Sequence, residues 1–138
     1  MNIPIVLALL SLVCDGIVRF FTKIAGVNQY YGPSYVLFQG VGLCVVAIVI
    51  HLVQRHPLDL SPGMTGVAFL GGVIASIAIS ALVLAFRMGG EGSVLFPIAG
   101  MGILVAAILS FVIYREPVTA PKLLGLGLGV SSIIVLSR

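Results

Sequence analysis

A chain of 138 residues that is 60% hydrophobic and 8% charged is far more apolar than a soluble domain, in which about 25% of residues carry charge. Composition points to the lipid bilayer as solvent, and the length suits one domain over residues 1–138. The net charge of +3 is spread over scattered Lys and Arg, with no run of like charges of the kind that binds nucleic acid.

About 20 predominantly apolar residues span a bilayer as a helix. Candidate spans follow in chain order as Ile3–Thr22, Ser34–Gln54, Gly63–Phe86, Ser93–Tyr114 and Pro121–Ser137. The breaks between them are short and rich in Gly, Pro, Asn and Asp, which mark turns. Connections this short make neighbouring helices antiparallel. The pattern predicts an all-α integral membrane protein with five transmembrane helices. The first apolar run has no basic residues before it, so it reads as a retained helix and not as a cleaved signal.

The first span carries Ser11, Asp15, Arg19 and Thr22, at spacings of four, four and three residues. Those spacings stack the polar groups on one helical face. A charged side chain at the centre of a membrane helix costs ~2.5–3.5 kcal/mol on insertion scales, so the face calls for a partner or an aqueous cavity. Three readings stand: Asp15 and Arg19 neutralise each other; Asp15 binds substrate or a coupling cation; or Arg19 extends to the headgroups.

The second span places Gln39 beside Gly40 and Gly42, where its amide lines a cavity or bonds a neighbouring helix, and His51 near the far interface. Cys14 and Cys44 fall in apolar surroundings at no metal-binding spacing, so they read as small hydrophobes, and neither metal nor cofactor is expected. In the third span Gly66, Gly71, Ala75 and Ser76 form a small-residue stripe, while Ser76 and Ser80 offer hydroxyls. In the fourth, Pro97 removes a backbone hydrogen bond and predicts a kink, with Phe96 beside it and Gly100 and Gly102 leaving room. In the last, Gly125 and Gly129 form a GxxxG pair that suits close helix packing in lipid.

Lys and Arg balance across the membrane. Arg55, Arg115 and Lys122 fall on the N-terminal side, and Arg19, Lys23, Arg87 and Arg138 on the other, three against four. Cytoplasmic loops normally hold an excess of these residues. Either a partner subunit sets the orientation, or the chain inserts both ways and forms an antiparallel dimer. No nucleophile–base arrangement and no phosphate loop is present, so nothing reads as an enzyme.

The stretch from Ala81 to Leu136, with Ser93, Pro97, Glu116, Gly125 and Gly129 in order, resembles the EamA-type repeat of the drug/metabolite transporter superfamily. The resemblance implies a five-helix unit that pairs with a second, inverted unit, hence a half-transporter. It also extends to the small multidrug resistance proteins, four-helix relatives that work as antiparallel dimers with a carboxylate in the first helix and a Lys near its end. Asp15 and Lys23 resemble that arrangement, although the carboxylate here is Asp and Arg19 follows it.

These readings converge on a dimeric transporter subunit of the cytoplasmic membrane. It is expected to move a small metabolite or drug-like molecule by alternating access, as a homodimer or with a homologous subunit. The cavity is expected between the first, third and fourth helices. Asp15 and Arg19 supply charge, Gln39, Ser76 and Ser80 hydrogen bonds, and Phe96 and Pro97 the wall, with Gly125 and Gly129 as packing or dimer contacts. Glu116 is expected to cap the last helix. The alternatives are a subunit of a lipid-carrier flippase heterodimer and a non-transporting membrane assembly protein.

Overall fold

The structure, a computed structural model, describes residues 3–55, 57–58, 60–115 and 119–136. They form six helices, α1 (Ile3–Val27), α2 (Gly32–Gln54), α3 (Pro62–Arg87), α4 (Gly92–Gly100), α5 (Gly102–Tyr114) and α6 (Ala120–Leu136). No strand occurs among the described residues. α4 and α5 together make the fourth span, so the protein is an all-α membrane protein of five spans. The first four of these are 25, 23, 26 and 23 residues long and apolar enough to cross a bilayer, and α6 is shorter at 17 residues.

Local chemistry sets the helix ends. Pro33 and Pro62 lie in the first turns of α2 and α3, where a missing N–H costs nothing. α1 runs five residues past the boundary expected at Thr22. Hydropathy falls at Lys23, but Ala25 and Gly26 are buried and hold the last turns helical. The helix then closes in a Schellman motif. Tyr30 N–H donates to the Ala25 carbonyl at 2.9 Å and Gln29 N–H to the Gly26 carbonyl at 3.0 Å. Gln29 occupies the left-handed position, φ 60°, that glycine usually fills.

The fourth span is interrupted four residues beyond Pro97, which itself lies inside α4. The helix breaks at Met101, between Gly100 and Gly102. Met101 N–H still bonds the Pro97 carbonyl at 3.1 Å, whereas Leu104 N–H turns to the Met101 carbonyl at 2.8 Å. That three-residue spacing is a tighter turn than the α-helix. Two flanking glycines, the poorest helix formers after proline, leave little to resist it.

The chain divides into two compact units, residues 1–89 and 90–138. In the first, α3 packs against both α1 and α2. Its core is small and lies at one end: Thr22, Ala25 and Gly26 of α1, Gly32 of α2, and Val83 and Phe86 of α3. In the second unit, α4 packs on α5 and α6. Most large apolar side chains of both units are exposed, as suits helices whose solvent is lipid.

Among the glycines of the first unit, the tightest surroundings are at Gly26. A Cβ there would collide with the Phe86 Cβ and would lie 2.9 Å from the Val83 carbonyl oxygen. Gly26→Ala is expected to destabilise the protein by ~1–3 kcal/mol through overpacking. Gly16→Ala, on the same helix with open space around it, is expected to be neutral or to stabilise by up to ~1 kcal/mol. Thermal unfolding of both variants in detergent checks this, and equal melting temperatures would show that the close approach does not constrain the fold.

Candidate functional site

Asp15 is the thirteenth residue of a 25-residue helix, so about 18 Å of helix extends to either side of it. One turn on, Arg19 Nε donates to Asp15 Oδ2 at 2.7 Å. The ion pair is therefore formed within the helix. The Asp15 side chain is 59% exposed, whereas that of Arg19 is 32% exposed and so largely covered. The polar stripe changes character along its length. Ser11 and Asp15 are exposed and Arg19 is half-buried, whereas Thr22 is buried. Thr22 Oγ1 donates to the Val18 carbonyl at 3.0 Å and lies 3.4 Å from the Tyr35 hydroxyl of α2.

Where α1 leaves this contact, a groove of about 390 Å³ opens against α2, within the roughly 300–1,000 Å³ of small-molecule pockets. Its wall holds the aromatic side chains Phe21, Tyr30, Tyr35 and Phe38, with Val18 and Gln39. Gln39 Oε1 is buried and has no hydrogen-bond partner among the described residues. An unsatisfied buried acceptor of this kind costs ~1–3 kcal/mol.

The other expected hydroxyls are placed differently. Ser76 Oγ donates to the Gly72 carbonyl of its own helix at 2.8 Å. Ser80 lines a separate cavity of about 210 Å³, with Tyr31, Gly32, Val83 and Arg87. Gln39 and Ser80 thus belong to different cavities of the same unit. Phe96 and Pro97, both half-buried, sit in α4 of the second unit. Of the glycine pair on α6, a Cβ on Gly129 would stand 3.6 Å from Leu104 and from Met101, whereas one on Gly125 meets nothing within 4 Å. Gly129 therefore borders its own unit and Gly125 faces outward. Glu116 lies outside the described residues.

Two interactions were absent from the sequence reading. Gln29 Nε2 donates to the Arg87 carbonyl at 3.2 Å, and Arg87 Nε donates back to Gln29 Oε1 at 3.3 Å. This reciprocal pair ties the end of α1 to the end of α3. Nothing in the spacing of residues 29 and 87 signals it. Gly26 did leave a signal, because it continues the stripe Ser11–Asp15–Arg19–Thr22 at the next four-residue step.

Comparison with known proteins gives two matches. The model of the EamA-like transporter family matches residues 2–138. A protein of Methanocaldococcus jannaschii named "Uncharacterized protein MJ1333.1" is 27% identical over 139 residues, covering 99% of this chain and 98% of its own. No solved structure matches.

The orphaned amide makes a stability test. Gln39→Met keeps the length of the side chain and removes the unsatisfied oxygen. It is expected to raise the unfolding free energy by ~1 kcal/mol, read as a higher melting temperature in detergent. A loss of stability would show that Gln39 is satisfied in the folded protein.

Proposed function

Since the chain belongs to the EamA-like transporter family, we propose that it is a subunit of a dimeric transporter of the drug/metabolite type. It moves a small metabolite or drug-like molecule across the cytoplasmic membrane by alternating access. The observation that carries this reading is the Asp15–Arg19 pair, held near the middle of an apolar span with the Asp15 carboxylate side chain 59% exposed. Ionisable groups at such depth are expensive in lipid and typically face a bundle interior or a water-filled path. A second unit placed against Asp15 would enclose it.

Pairing has further support. Transporters commonly place their site at the interface of inverted repeats near the bilayer midplane. The Methanocaldococcus jannaschii protein matches this chain along 98% of its own length, so it too has the size of one unit. The balance of Lys and Arg, three against four, sets no preferred orientation and suits two copies inserted oppositely. In this arrangement Asp15 meets the substrate or coupling cation, while Arg19 holds the carboxylate in place and offsets its charge. Gly125, facing outward on α6, is available as a contact between subunits.

Two experiments test the proposal. A tag at the C-terminus, labelled from each side of sealed vesicles, is expected to react from both sides. Labelling from a single side overturns the antiparallel homodimer. Proteoliposomes are then loaded in turn with a lipophilic cation, a neutral aromatic compound and an amino acid, to find what moves. Asp15→Asn is expected to assemble as a dimer and to abolish that flux, and Asp15→Asn combined with Arg19→Gln to abolish it equally. Recovery of flux in the double variant would make Asp15 and Arg19 a structural pair only.

A further inference from the structure

The groove between α1 and α2 is chemically specific in a way that lipid packing does not require. Four aromatic side chains form its wall, Phe21 on α1, Tyr30 in the turn that follows it, and Tyr35 and Phe38 on α2. Tyr35 is steadied by the Thr22 hydroxyl at 3.4 Å. Flat apolar walls favour flat apolar ligands, through offset or edge-to-face ring contacts. Among the described residues, no carboxylate, guanidinium or ammonium lines the groove. A ligand carrying a full charge would be desolvated there without compensation.

One polar group breaks the apolar wall. Gln39 lines the groove, and its Oε1 is shielded from solvent without a partner among the described residues. The terminal torsion of a glutamine is soft, with broad and nearly equivalent orientations. A half-turn about it exchanges the amide oxygen and nitrogen, and because Gln39 lines the groove, a ligand N–H or O–H bound there can supply the bond that Oε1 lacks. An acyl chain offers no such donor.

We propose that this groove binds a neutral, flat aromatic molecule bearing one N–H or O–H donor, with Gln39 Oε1 as the acceptor. The inference names a ligand class for the transporter reading above and rests on that reading only for transport; the binding stands apart from it. Asp15 lies outside the groove wall, so the two claims fail separately.

Indole and N-methylindole are the probes, because they share a ring system and differ in the N–H. Equilibrium dialysis against the detergent-solubilised full chain is expected to show indole bound roughly tenfold more tightly than its methylated form, as loss of one buried hydrogen bond implies. Gln39→Met is expected to abolish the difference while the protein melts no lower. Phe38→Ala, at a side chain 80% exposed and so tolerant of truncation, is expected to weaken both probes. Gly16→Ala, outside the groove wall and with open space around it, is expected to bind indole as the wild type does. Three results would overturn the proposal: no binding of indole to the wild type, equal affinity for the two probes, or preferential binding of tetraphenylphosphonium, which would assign the groove to a cation. Indole bound selectively but not carried in proteoliposomes would remove indole-like molecules from the cargo and leave the site intact.

Discussion

The first unit is organised by how closely α1 and α3 approach. At Gly26 the absent side chain lets the α1 backbone approach the Val83 carbonyl and Phe86, leaving only 2.9 Å between a notional Cβ and that oxygen. In water such a contact would be one of many in a large core. In lipid, apolar burial gives helices little reason to associate, and association depends on packing and interhelical hydrogen bonds. The buried residues of this unit lie mostly around that contact, and the polar bonds lie there too. Thr22 meets Tyr35, and Gln29 exchanges bonds with Arg87. Gln29 holds a left-handed backbone that costs a non-glycine residue roughly 1–2 kcal/mol. The reciprocal bonds with Arg87 offset part of that cost and explain why a glutamine is tolerated where glycine is usual.

Electrostatics makes a second, separate demand. The 2.7 Å bond between Arg19 and Asp15 is of a kind that contributes ~0–1 kcal/mol when it faces water. Facing lipid, the same pair is a liability, because both ions lose hydration and only one contact compensates. The structure places the pair on a helix whose other side chains at that depth are apolar, with Asp15 exposed and Arg19 half-buried. Its surroundings in the membrane must therefore include either water or another protein surface. Packing within the unit and charge along α1 thus point in different directions: the C-terminal end of the helix is finished, and its middle is not.

Helix existence was legible because it depends on composition alone. Runs of Val, Ile, Leu and Ala broken by Gly and Pro mark five spans, and the pair at Asp15 and Arg19 follows from four-residue spacing. What hydropathy misplaced was decided by packing. Lys23 suggested an end that the burial of Ala25 and Gly26 overrides. Pro97 marks the fourth span for a kink, but the spacing does not reveal the break four residues on, at Met101 between two glycines. The candidate site was harder to read. Gln39 and Ser80 both carry suitable chemistry, yet which cavity each lines depends on the crossing of α1, α2 and α3, and no local pattern encodes that. Gly125 and Gly129 look equivalent as a motif, but one faces Met101 and Leu104 and the other faces outward.

The finished and unfinished parts of α1 meet at Val18. Its carbonyl accepts the Thr22 hydroxyl that belongs to the core, its side chain lines the aromatic groove, and it lies one turn from Asp15. No residue from Ile3 to Val18 is buried, whereas Thr22, Ala25 and Gly26 all are. The helix is consequently anchored over its last turns and unsupported over its first four. That division gives this unit one close-packed contact, at the C-terminal end of α1, and one face of the same helix that stays exposed.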